Sequence, residues 1–172
     1  MGRKISRASK PMLPSDDEQL SLDWQICFTL NGASRAFAAA YRTVLKDVGL
    51  TYPQYLAMVV LWEHGELPVM ELGRYLRLDS GTMSPLLKRL EATGFIRRER
   101  SLRDQRSVRV RLTEAGIALR ERTSRVPRRI TAATDMDLSE LAELRAKLER
   151  LTDALDAAAM NDADTEAFVT PG

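Results

Sequence analysis

The 172-residue chain has a single cysteine, Cys27, and a single histidine, His64. One cysteine excludes an intramolecular disulfide and a cysteine-rich zinc site. One histidine argues against a histidine-based metal centre or catalytic constellation, so no metal and no cofactor is expected. Aromatic residues make up only 6% of the chain. The longest apolar run, Leu56 to Trp62, is far too short to cross a bilayer, so no membrane partner is expected. The first residues carry basic positions without an apolar stretch like that of a signal peptide, which leads to the expectation of a cytoplasmic protein. With 44% hydrophobic and 29% charged residues, the composition is that of a globular chain rather than a disordered one.

Net charge is small overall, but the two signs are strongly segregated. A net charge of +2 hides nine basic residues between Lys88 and Arg111, against three acids. From Asp135 onward ten acids face three bases. A concentrated basic patch is the footprint of a polyanion partner, and eight of these nine bases are arginine, suited to phosphate and guanine. Taken alone, such a run also fits a solvated charged face.

Residues 1–19 mix Lys, Arg, Pro, Ser and Asp without periodicity and read as a flexible basic arm. Ser21 suits an N-cap. Leu22, Ile26, Leu30, Ala33, Phe37, Tyr41, Val44 and Val48 then recur every three or four residues, predicting one long amphipathic helix closed by Gly49. This places Cys27 in its second turn. A second helix is predicted over Thr51–His64, with Pro53 in its first turn, and a short third from Pro68 to about Leu76. The fourth, Asp79–Thr93, starts either at an Asp79 or Ser80 cap or at Ser84 with Pro85 in first position.

The period then changes to two. Val108, Val110 and Leu112 alternate with Arg109 and Arg111, and Phe95–Arg100 supplies a partner strand across the polar connection Ser101–Arg106. Thr113 caps a fifth helix that Pro127 must interrupt or end. Leu138, Leu141, Leu144, Leu148, Leu151 and Leu155 stripe a sixth. The predicted fold is mainly α with a small β-hairpin wing. It divides into a helix at 20–48, a winged helix-turn-helix at 50–112, C-terminal helices at 113–159 and an acidic disordered tail at 160–172.

Helices two to four followed by a basic hairpin describe a reader of double-stranded DNA. A helix fits the major groove, and small polar residues approach base edges. Ser80, Thr82 and Ser84 supply that face, Lys88 and Arg89 reach phosphates, and the arginine-rich hairpin, Arg98 included, lies along the backbone. Arg103 and Arg106 stand at the tip, placed for a narrow minor groove, with Asp104 orienting Arg106. A helix–hairpin–helix domain that binds protein is the plainer alternative.

Leu78-Asp79-Ser80-Gly81-Thr82-Met83-Ser84-Pro85-Leu86-Leu87-Lys88-Arg89-Leu90-Glu91 resembles the recognition helix of MarR-family regulators. Asp104-Gln105-Arg106 followed by Leu112-Thr113-Glu114-Ala115-Gly116 is similar to the family's wing signature. Leu22-Asp23-Trp24-Gln25-Ile26-Cys27-Phe28, Thr51-Tyr52-Pro53-Gln54-Tyr55-Leu56 and Leu61-Trp62-Glu63-His64 resemble the OhrR branch, whose members repress a peroxidase gene until a cysteine is oxidised by organic hydroperoxide. The resemblance implies a homodimer on a pseudo-palindromic operator, with Cys27 as redox sensor and Tyr41 and Tyr52 as its hydrogen-bonding phenols. Asn31 departs from relatives that carry a further tyrosine there. No resolving cysteine exists, which implies the single-cysteine class, its oxidised thiol capped by a small cellular thiol or a backbone nitrogen.

On its residues alone, a lone cysteine in a helix is commonly a small buried hydrophobe. Cys27 and Tyr41 are fourteen residues apart. On one straight helix that is about 21 Å. If the pair interacts, Tyr41 comes from a second subunit with an antiparallel first helix, and the leucine stripe offers either a further dimer surface or packing for helix one. An apolar peroxide pocket is expected from Phe28, Phe37, Met58 and Trp62. The rival reading keeps DNA binding but has a small phenolic ligand relieve repression, with Cys27 merely packed. A thiol peroxidase fits poorly, since Cys27 lacks a Thr-x-x-Cys context, so no enzyme is expected. Glu63-His64 reads as a helix C-terminal cap.

Overall fold

The computed structural model describes residues 20–100 and 108–167, with side chains as far as 159. The N-terminal arm, the hairpin tip and the last five residues lie outside the described residues.

The first helix is shorter than its apolar period. Leu22–Trp24 forms a 3-10 turn, α1 spans Ile26–Leu45, and a second 3-10 turn, Lys46–Val48, closes on Gly49 at φ 74°. Such tapering is common where the last orphan backbone groups tighten into three-residue bonds. Ser21 therefore caps the 3-10 turn, and Gln25 is the N-cap of α1. In α2, Tyr52–His64, Thr51 and Gln54 form a reciprocal capping box, with the Thr51 N–H donating to Gln54 Oε1 at 2.9 Å. A two-residue strand, β1 at Leu67–Pro68, leads into α3, Val69–Leu76, which ends on Arg77 at φ 52°.

α4 runs Ser80–Ala92 and settles the two possible starts in favour of Asp79, whose carboxylate accepts the Thr82 N–H at 2.9 Å. Pro85 lies inside this helix. It removes the donor that the Gly81 carbonyl would otherwise meet. β2, Ile96–Arg100, and β3, Val108–Leu112, pair antiparallel, and β1 adds a third strand in the order β1-β3-β2. The hairpin matches its prediction; β1 is too short to carry any period.

Thr113 caps α5, Glu114–Thr123, by accepting the Gly116 N–H. Pro127 stands in the first turn of a separate α6, Val126–Ala133, so it interrupts rather than kinks the chain. α7 extends from Leu138 to Ala167, past the expected boundary at 159. Past its midpoint, Asp156 lies 2.7 Å from Arg77 at the end of α3.

One core joins these elements. Leu45, Met58, Leu61, Leu72, Met83, Leu87, Leu90, Ile96, Val110 and Leu119 are almost wholly buried. The recognition helix thus rests on α2, α3 and the hairpin. By contrast, Leu22, Trp24, Ile26 and Phe28 at the start of α1 stay exposed, as do Leu138, Leu144, Leu148 and Leu155 on α7. So many large apolar side chains left in water mark surfaces that want a partner.

Candidate nucleic-acid interface and thiol site

Helical spacing sorts α4 into two faces. Met83, Leu86, Leu87 and Leu90 point into the core; Ser80, Gly81, Thr82, Ser84, Lys88 and Arg89 remain exposed. Thr82 is also part of the cap, its hydroxyl donating to Asp79 Oδ2 at 2.9 Å. Its oxygen keeps acceptor capacity only. The Asp79 carboxyl is held below its usual range, chiefly by the Thr82 backbone N–H and then by the Thr82 hydroxyl.

The strands of the hairpin carry five arginines, and three of them are already bonded to carboxylates. Arg98, expected on the DNA backbone, grips Glu91: its backbone N–H and Nε donate to the two Glu91 oxygens at 2.9 and 2.8 Å. Arg109 bonds the Glu66 side chain and donates from Nη2 to the Glu66 carbonyl at 3.1 Å. Arg111 meets Glu99 at 2.7 Å, one diagonal step along the ladder from Arg109, which faces Glu99 directly. Among the described residues no acid pairs with Lys88, Arg89, Arg97 or Arg100. Arg103, Asp104 and Arg106 lie outside the described residues.

Cys27 is exposed, and it is the second residue of α1 rather than a second-turn residue, because Leu22–Trp24 does not continue the α-helix. At the far end of α1, Tyr41 and Tyr52 meet with ring centroids 4.3 Å apart. Tyr55 stands 6.0 Å from Tyr41 and 6.4 Å from Trp62. Burial, then the neighbouring phenols Tyr52 and Tyr55, push Tyr41 up to about 12. Burial likewise raises Tyr55. Along α1, Cys27 and Tyr41 of one chain stand about 21 Å apart, so the two phenols come together with each other and not with their own thiol.

The expected four-residue pocket does not assemble as drawn. Met58 is fully buried in the core, and the Trp62 indole donates to the Gly116 carbonyl at 2.9 Å, which fixes it between α2 and α5. Phe28 is exposed near the start of α1. Phe37 instead lines an apolar cleft of about 270 Å³ with Ala36, Ala40, Ile130 and Met136. Helix spacing alone separates buried from exposed positions, but not a core face from a pocket face. His64, expected as a cap, stacks on Tyr75 with centroids 4.4 Å apart. The described residues contain no group of three or more metal-ligating side chains. No helix among them is long and apolar enough to cross a membrane.

A polar recognition helix seated on a small sheet with a basic hairpin defines a winged helix-turn-helix DNA-binding regulator. Residues 50–108 match the MarR family. TtmR, a transcriptional regulator of Methylorubrum extorquens (strain PA1), is 46% identical over 143 residues, 83% of this chain and 73% of that one. The organic hydroperoxide resistance transcriptional regulator of Bacillus subtilis (strain 168) is 41% identical over 138 residues, covering 80% of this chain and 94% of the other. A solved structure of reduced AbfR bound to DNA superposes with a TM-score of 0.74 at 34% identity, over 84% of this chain and 99% of that one. The chain belongs to the MarR family and is a transcriptional regulator, not an enzyme.

Proposed function

We propose that the chain is a dimeric repressor that holds its operator while Cys27 is reduced and releases it when organic hydroperoxide oxidises that thiol. The observation that carries this reading is the placement of an exposed Cys27 at the start of α1 and a half-buried Tyr41, paired with Tyr52 of α2, at its far end. Two copies with antiparallel α1 helices bring each thiol to the other copy's phenols. The exposed apolar residues at the start of α1 and along α7 give those copies a surface to bury. A stable monomer in solution is the result that rules this arrangement out.

On DNA, α4 enters the major groove with Ser80, Thr82 and Ser84 toward base edges, while Lys88 and Arg89 meet phosphates. Arg103 and Arg106, with Asp104, serve at the wing tip in the minor groove. A dimer reads two half-sites about one helical turn apart in a pseudo-palindrome.

The chemistry starts at an accessible sulfur. The Cys27 thiolate attacks a peroxide oxygen; the S–O bond forms, the O–O bond breaks, and the alkoxide leaves and takes up a proton as alcohol. Sulfur becomes a sulfenic acid and the peroxide is reduced. A small cellular thiol then forms a mixed disulfide, and the sulfenic oxygen leaves as water. The bulkier adduct displaces the partner's phenols, the copies shift, and the recognition helices lose the half-site spacing. This cycle belongs in the cytoplasm, where DNA and small thiols coexist.

Relatives support both halves of this reading: one is named for organic hydroperoxide resistance, and reduced AbfR is seen on DNA. The second reading, a phenolic ligand that relieves repression without thiol chemistry, is favoured by the cleft beside Phe37. Mass spectrometry of Cys27 after cumene hydroperoxide, with operator binding in the same sample, tests between them. Sulfur adducts that accumulate in step with DNA release support the sensor; release without any change in Cys27 mass overturns it.

A further inference from the structure

The count of basic residues along the hairpin overstates what a polyanion meets, and the excess has another use. Glu91 stands in the last turn of α4, and its carboxylate gathers the backbone N–H, Nε and Nη2 of Arg98, the last at 2.7 Å. Both side chains are about one-third exposed, at 35% and 29%, so the contact is partly shielded from water. The Glu91 carboxyl is held below its ordinary range, first by the Arg98 backbone N–H and then by its guanidinium.

These bonds constrain direction as well as distance. The N–H fixes the strand, and the fork of the guanidinium fixes the rotamer. Between the two partners lies Gly94 at φ 78°, the point where α4 turns into β2. Without the clamp, the hairpin is tied to α4 mainly through this turn and its apolar edge. A second clamp, Arg109 on Glu66, holds the opposite edge of the same strands to the segment before β1.

We propose that Glu91 is a positioning residue for DNA recognition: through Arg98 it sets the angle between the recognition helix and the wing, and Arg98 makes no phosphate contact. The inference rests on the DNA-binding reading above. Helix and wing enter neighbouring grooves together only if that angle is fixed before binding. Arg100, exposed and without an acid partner among the described residues, is left as a phosphate contact from β2.

The sign of the effect separates this role from simple electrostatics. Glu91→Gln removes an acid beside a polyanion site, which by charge alone tightens DNA binding. Positioning requires the reverse. The test uses the full chain, a duplex selected by that chain from a randomised pool, and a scrambled duplex of equal length, each titrated across a salt series. Glu91→Gln and Arg98→Lys are expected to weaken binding to the selected duplex by roughly tenfold. Scrambled-duplex affinity stays at or above the parent's, and both salt slopes stay as in the parent. Arg100→Ala lowers the salt slope by roughly one on both duplexes.

Thermal unfolding of each variant confirms a folded chain at assay temperature, since partial unfolding lowers both affinities alike. Equal or tighter binding of the selected duplex by Glu91→Gln overturns the proposal. So does a lowered salt slope for Arg98→Ala, which makes Arg98 a phosphate contact. If the parent chain selects no sequence and shows no salt-dependent binding, the DNA-binding reading itself fails and takes this proposal with it.

Discussion

Tyr41 and Tyr52 meet with ring centroids 4.3 Å apart and planes tilted by 33°, one from the end of α1 and one from the start of α2. That contact ties α1, which carries Cys27, to the winged domain. Whatever moves the phenol pair therefore moves the two parts of the molecule relative to each other.

The phenols give the first prediction. Tyr41 is raised from its ordinary value of 10 to about 12 by burial. A group raised on folding contributes stability that is fully present below its unfolded value and lost as pH rises through its folded value. Stability should thus decline between about pH 10 and pH 12. Tyrosinate absorbance should show a late-titrating component, and Tyr41→Phe should remove part of it. An unaltered titration curve in that variant means Tyr41 is not the late-titrating phenol.

Gly116 gives the second. A Cβ at this position sits 2.0 Å from the Phe95 carbonyl oxygen, which is backbone and cannot swing aside. Gly116→Ala should cost about 3 kcal/mol or more by overpacking the join between α5 and the wing. Chemical denaturation measures this directly, and a loss below 1 kcal/mol speaks against the packing described here.

The third concerns the cap of the recognition helix. Asp79→Ala removes the acceptor for the Thr82 N–H and hydroxyl, and should lower the unfolding midpoint and operator affinity together. Asp79→Asn, which keeps an acceptor, should restore most of both. Because the Asp79 carboxyl is depressed on folding, its contribution is present above the ordinary value of 3.8 and is lost as pH falls through the depressed value. The stability difference between the parent and Asp79→Ala should therefore close as pH falls through that range, and a difference that persists unchanged in acid speaks against the charged cap.

Much of this architecture is legible in the residues. Apolar spacing places the helices, Thr51 and Thr113 stand at two of their starts, and the period-two run at Val108–Leu112 gives the wing, whereas the start of α4 stays open in the sequence between Asp79, Ser80 and Ser84. The start of α1 was not legible, because Leu22 and Ile26 share a period that continues across the 3-10 turn. Strand β1 is two residues long and owes its existence to pairing with β3. The partners of the wing arginines were not legible, for a physical reason. Composition counts charges, whereas Glu66, Glu91 and Glu99 neutralise particular ones through contacts that span 43, 7 and 12 residues. Trp62 and Met58 read equally well as pocket or core, and packing against α5 and the buried cluster decided for the core.

The central claim, that one sulfur per copy governs DNA binding, meets its most direct test in operator binding by Cys27→Ser protein before and after cumene hydroperoxide. The account predicts that the parent chain lets go of its duplex and the serine variant keeps it at unchanged affinity. Dissociation of the serine variant on the same treatment would contradict it.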